Sequence, residues 1–171
     1  MKKWTLILLL FCGSSLTWAQ SKVAHVNSQK LLDTLPSRRD ALKKLQDFEA
    51  NGIKELQEME ADFNKSLAEY EKKAPDLTPM LKKIEEEKLM KKQQNLQERQ
   101  ESLQQEMQIY SQELNKPILE RVQKAVEIVS DRKKLNYVLD ETVTLYFKGG
   151  MDITGEVLVE LLKLDAEASN K

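Results

Sequence analysis

Residues 72–83 read KKAPDLTPMLKK, and this stretch constrains the fold more than any other part of the chain. Pro75 and Pro79 stand four residues apart near the middle of a long run whose pattern is otherwise helical. A residue that precedes proline is pushed out of the helical region, so Ala74 and Thr78 each mark a boundary. Thr78 is a good N-cap and Pro79 suits the first helical turn. The spacing therefore predicts a helix from Ser37 to about Ala74, a turn through Pro75-Asp76-Leu77, and a second helix from Pro79 to about Lys134. Two helices of similar length with so short a connection pack antiparallel. At 1.5 Å per residue, an arm built on residues 37–74 extends roughly 57 Å.

The apolar residues of the first helix are Leu42, Leu45, Phe48, Ile53, Leu56, Met59, Phe63, Leu67, Tyr70 and Ala74. From Leu56 they step by 3, 4, 4, 3 and 4. Leu96, Leu103, Met107, Tyr110, Leu114, Ile118, Val122, Ala125 and Val129 mark the second helix. Each set is a narrow stripe, unlike the broad apolar face of a helix in a globular core. The 4-4-3 step between Met59 and Tyr70 is a hendecad, which predicts a nearly straight or slightly right-handed pairing there. Charged residues make up 32% of the chain, and Gly52 is the only glycine between Lys22 and Lys148; both favour long exposed helix. Regular apolar spacing argues against disorder. Between Glu85 and Ser102 the large apolar residues are only Leu89, Met90 and Leu96, so the outer arm is predicted to be helical but loosely paired and mobile. Pro117 removes one helical hydrogen bond, and a kink is expected there.

The two ends read differently. MKKWTLILLLFCGSSLTWAQ has a basic start, a short apolar core and small residues at Thr17 and Ala19, the pattern of a cleavable signal with its cut after Ala19. Cys12 precedes Gly13, but Phe11 stands where a lipoprotein signal needs a small residue, so lipidation at Cys12 is disfavoured. Removal of residues 1–19 takes away the only cysteine and both tryptophans, Trp4 and Trp18. The remainder has no disulfide, 25 basic and 28 acidic residues, and no stretch suited to stable membrane insertion. Export points to the periplasm of a cell with two membranes.

KVAHVN, residues 22–27, is β-prone, and Ser28 is placed to cap a short helix through Leu35. Pro36 follows, and Ser37 with Asp40 has the spacing of a weakened capping box. Residues 137–140 and 143–147 are predicted as two further strands. Gly149-Gly150 breaks the chain, and Asp152 or Thr154 caps a closing helix with Ile153, Val157, Leu158, Leu161 and Leu162 on one face. The tail DAEASNK is expected to fray. The chain thus divides into a signal (1–19), a β-containing oligomerisation body (20–36 and 117–171) and a helical hairpin arm (37–116) with its tip at 75–79. Its fold class is mainly α with a small β body.

So small a body, with open strand edges and no disulfide, needs partners. Copies of the same chain supply them most simply. Val23, Val26, Val138, Leu139, Val143, Leu145, Ile153, Val157, Leu158 and Leu161 are the candidates for the oligomer core. So small a body requires an oligomer, but its size does not set the number of copies.

No HxxH, CxxC, GxSxG or glycine-rich phosphate loop occurs, so no enzymatic activity and no cofactor are expected. His25, the only histidine, reads as structural, and Asp140, Glu141 and Asp152 lie where acids cap backbone amides; no metal is expected. The acidic balance and export disfavour nucleic acid.

Three stretches together resemble the Skp/OmpH family of periplasmic chaperones. KVAHVN looks like that family's first strand, PILERVQKAVEIVSDRKKLNYVLDETVTLYF like its returning helix and strand pair, and GGMDITGEVLVELLK like its closing helix. With the hairpin between them, the resemblance spans essentially all of the chain after the signal. It implies a jellyfish-shaped homotrimer in which three arms enclose a cavity. There the family holds unfolded outer-membrane proteins, without ATP, until delivery to the outer-membrane assembly machinery. Met59, Phe63, Leu67, Met107 and Tyr110 are the candidate client-facing residues; stripes at helical spacing are usually packing, so the bland alternative is that they simply seal the hairpin seam. Some relatives carry strongly basic arms, whereas residues 37–74 here hold 8 basic and 9 acidic residues and residues 76–116 hold 7 and 8. A net positive field that would draw acidic clients or lipopolysaccharide is therefore not expected along this arm. A structural or adaptor protein of the envelope is the alternative reading.

Overall fold

The structure is a computed structural model describing residues 22–169; the expected signal and Cys12 lie outside them. Strand β1 (Val23–Val26) leads into a short helix α1 (Ser28–Thr34) and then the long α2 (Pro36–Lys73). A 3-10 turn (Ala74–Asp76) reverses the chain into α3 (Pro79–Lys133). Strands β2 (Tyr137–Asp140) and β3 (Met151–Asp152) and helix α4 (Thr154–Ser169) complete the body.

The tip forms where the prolines stand, but Ala74 is not pushed out of the helical region. It stays helical at φ −52° and ψ −39°, a 3-10 turn carries Ala74–Asp76 past Pro75, and of the two residues before proline only Thr78 leaves helical geometry. Thr78 is extended and its side chain accepts from the Leu81 amide at 3.4 Å, with Pro79 opening α3. Helix α3 runs on without a break through Pro117. Its end is set by Lys134 in the left-handed region (φ 52°), which lets the Leu135 amide return to the Ser130 carbonyl at 2.9 Å.

The sheet has the order β2-β1-β3, and both pairings are parallel. His25 on the central strand registers with Leu139 on one side and Asp152 on the other. Ala24 and Val26 point into the core, whereas Val23, Tyr137 and Leu139 are exposed, following the period of two. The core joins Ala24, Val26, Leu31 and Leu35 to Ile153, Val157 and Leu161 of α4 and to Ala41, Ile118, Ala125 and Val129 at the base of the arm.

Four further expectations are corrected. Residues 143–147 form no strand: Glu141 to Val143 turn, and the segment crosses to the far edge of β1, so its backbone has no strand neighbour among the described residues. The third strand is instead Met151–Asp152, reached through Gly149 and Gly150 at φ 94° and 100°. Asn27, not Ser28, caps α1, its side chain accepting from the Lys30 amide at 2.9 Å. Ser37 and Asp40 form no capping box. The Ser37 amide donates to Asp165 Oδ2 at 3.2 Å, so α2 is capped from a distant helix. For the same reason the tail does not fray at its start: Asp165 is 2% exposed and helical.

Candidate functional site: the seam and flanks of the arm

The arm is a two-helix seam of changing chemistry. Near the body it is apolar. Phe48 and Tyr110 stack across it with ring centroids 5.1 Å apart, and Leu103 is buried. Opposite Leu103 the seam position on α2 is Gly52, which is buried, while Ile53 is 45% exposed. The stripe thus passes Phe48, Gly52 and Leu56 in steps of four, and Ile53 lies one residue out of phase.

Farther out, polar groups replace apolar ones. The Arg99 guanidinium grips Glu55 through two bonds of 3.1 and 3.0 Å and reaches Glu106 at 2.9 Å. Lys92 donates to Asp62 at 2.5 Å and to Ser66 Oγ at 2.7 Å. Near the tip the Tyr70 hydroxyl donates to Glu86 at 2.6 Å. Bonds from Ser102 and then Arg99 hold the Glu106 carboxyl below its ordinary range, and the Glu86 carboxylate pushes the Tyr70 phenol up. Exposed pairs of this kind contribute only about 0–1 kcal/mol each. The outer arm is therefore laced across the seam, but by weak bonds.

Met59, Phe63, Leu67, Met107 and Tyr110 are all half-buried along this seam. The apolar residues that stand free on the arm are others: Leu42, Ile53, Met80, Leu81, Ile84, Met90, Ile109 and Leu119. Met80, Leu81 and Ile84 cluster within the first turns after the tip, and Met80 is 68% exposed. Phase was the available signal, since Met90, Ile109 and Leu119 each sit one residue beside a stripe position and so point away from the partner helix.

At the base of the arm a buried polar knot ties α2, α3 and α4. The Arg121 Nε lies 3.1 Å from Asp165 Oδ1 as an ion pair, without hydrogen-bond alignment. Ser37 Oγ donates to the same oxygen at 2.5 Å, and Arg121 Nη2 donates to Ser37 Oγ at 3.1 Å. In the body, Val26, Ile153, Val157 and Leu161 fill the core of the single chain, with Val138 and Leu158 packed against it. Val23, Leu139, Val143 and Leu145 are exposed, Leu145 completely. Asp140 does bond backbone amides: burial pushes its carboxyl up, but bonds from Ser28 and Thr142 outweigh that and hold it below its ordinary range. Bonds from Thr154 likewise lower the Asp152 carboxyl.

The family profile described as "Outer membrane protein (OmpH-like)" matches residues 22–161. The chain belongs to the OmpH-like family. A solved structure with the same fold is a proposed outer membrane chaperone (OmpH-like) from Caulobacter crescentus CB15. It superposes on this OmpH-like chain with a TM-score of 0.73 at 17% sequence identity, covering 87% of this chain and 86% of that one. No curated protein sequence matches this chain. No helix among the described residues is long and apolar enough to cross a membrane.

Proposed function

We propose that this chain is an ATP-independent holdase of the periplasm. In this reading three copies assemble through their sheets, and their arms enclose a cavity that takes up unfolded outer-membrane proteins and keeps them from aggregating before insertion. Delivery to the outer-membrane assembly machinery follows. The observation that carries the reading is the set of exposed apolar side chains along a slender arm: Met80, Leu81 and Ile84 near the tip, and Met90, Ile109 and Leu119 below. A two-helix seam is too narrow to bury them, and Met and Leu side chains adapt to many shapes. Several weak contacts from neighbouring arms would add through effective concentration. The half-buried Met59, Phe63, Leu67, Met107 and Tyr110 can join them where the seam opens.

Family membership and the chaperone described for the Caulobacter crescentus relative support the client class. The sheet supports assembly. All-parallel sheets are normally covered on both faces, yet Val23, Tyr137 and Leu139 are exposed on the face away from the core, and Leu145 and Tyr146 of the following crossover are exposed too. Binding rather than catalysis explains these features.

The test uses the absence of tryptophan beyond Trp18, which leaves the fluorescence of a tryptophan-bearing client free of background. Unfolded outer-membrane protein titrated with the processed chain is expected to give a saturable change, complete near three chains per client. An unchanged spectrum at all ratios would overturn the proposal.

A further inference from the structure

All three strands run parallel, so their carboxyl ends lie on one side of the sheet, and each brings a metal-ligating side chain there. His25 is on β1, Glu141 directly follows β2 and Asp152 closes β3. Their ligand atoms lie within 4.8 Å of one another. Separations of 116 and 127 residues hide this grouping from any local motif. Open parallel sheets characteristically bind ligands just beyond the carboxyl ends of their strands.

We propose that His25, Glu141 and Asp152 form a binding site for a divalent first-row transition-metal ion of the zinc type. One imidazole and two carboxylates suit such an ion, whereas calcium and magnesium take oxygen ligands only. With the imidazole neutral, the two carboxylates balance the charge of the ion. Metal–ligand bonds of about 2.0–2.2 Å in a tetrahedral site put neighbouring ligand atoms about 3.4 Å apart. His25 Nδ1 and Glu141 Oε1 stand 2.6 Å apart around a shared proton. The ion takes the place of that proton, which in the neutral ring moves to Nε2 and frees the Nδ1 lone pair, and the pair opens by less than about 1 Å. Asp152 is exposed and closes in from the other side. One of its oxygens accepts from the Thr154 amide at 2.8 Å, which fixes the orientation of the carboxylate. Water completes the tetrahedron.

The surroundings hold the ligands in place. Asn27 Nδ2 donates to Glu141 Oε2 at 2.9 Å and so fixes that carboxylate. The Phe147 ring lies 4.8 Å from the imidazole and limits its rotation. Gly150 passes on the other flank, where a Cβ would stand 3.3 Å from His25 Cδ2. Orienting contacts of this kind tune metal affinity tenfold or more. A bound ion would tie β1, the 141–150 crossover and β3 together in a body whose described residues contain no cysteine.

The test is titration of tag-free, chelator-treated protein with zinc against a chromophoric chelator, with imidazole NMR in parallel. As His25 is the only histidine, one set of ring signals reports the site. One zinc per chain is expected, with those signals moving on binding. His25→Ala, Glu141→Gln and Asp152→Asn should each weaken binding at least tenfold. Because His25→Ala also removes the packing of Phe147 on the sheet, Glu141→Gln, which keeps size and hydrogen bonding, is judged alongside its circular dichroism. No saturable binding, unmoved imidazole signals, or unchanged affinity in a folded Glu141→Gln variant would each overturn the proposal.

Discussion

Gly52→Ala sets two opposing effects against each other, and the structure decides between them. Within an exposed helix, alanine is favoured over glycine by about 1 kcal/mol, because glycine loses more backbone freedom on folding. Position 52 is not exposed. A Cβ there would stand 2.7 Å from Leu103 Cδ2 and 3.1 Å from its Cγ, inside ordinary contact distance. Leu103 is 6% exposed and has little room to turn away. Leu103 Cδ1 lies closer still, so the helices must part by roughly 1 Å or the leucine must leave its rotamer, and overpacking of this order costs about 1–3 kcal/mol. The net expectation is a loss of about 1 kcal/mol. Urea melts followed by helical dichroism measure it, since α2 and α3 supply most of the signal. In a Leu103→Ala background the clash disappears, and Gly52→Ala should then stabilise by about 1 kcal/mol. Stabilisation of that size in the native background would refute the close approach of the two helices.

Other expectations follow from the polar contacts and the exposed faces. Asp165→Ala leaves Arg121 unpaired and the Ser37 amide uncapped, and should cost about 3 kcal/mol in the same melts; Arg121→Met with Asp165→Leu should recover part of the loss. The bond to Glu86 raises the Tyr70 phenol above its ordinary 10.0, so its support of the outer arm is complete below pH 10 and lost as pH rises through the raised value. Absorbance titration should show a late ionisation that Tyr70→Phe removes. Leu139→Lys or Leu145→Lys should lower the particle mass in light scattering while helicity persists, because these residues are exposed in the single chain. Val157→Lys should instead unfold the body, because Val157 is fully buried.

The long elements were legible because their signals are local. Pro75, Pro79 and Thr78 act within a few residues, and they placed the tip. The stripe fixed the seam, except at Gly52, where hydrophobicity pointed to Ile53. A glycine at a seam position carries no apolar signal, and only the partner leucine reveals it. Residues 143–147 are rich in β-branched and aromatic types, but strand formation needs an adjacent backbone, and propensity does not supply one. Asp165 lies in a polar tail, yet it is buried because Ser37 and Arg121 converge on it from 128 and 44 residues away. The grouping of His25, Glu141 and Asp152 was hidden for the same reason. Parallel pairing joins strands distant in sequence, and nothing near His25 announces its neighbours.

The most direct test is the aggregation of a urea-denatured outer-membrane protein diluted into buffer with and without residues 20–171 of this chain. A holdase with exposed apolar arms should suppress light scattering in proportion to its concentration, approaching completion near three chains per client, with no nucleotide present. Scattering that rises unchanged at a tenfold excess of folded protein would contradict the account.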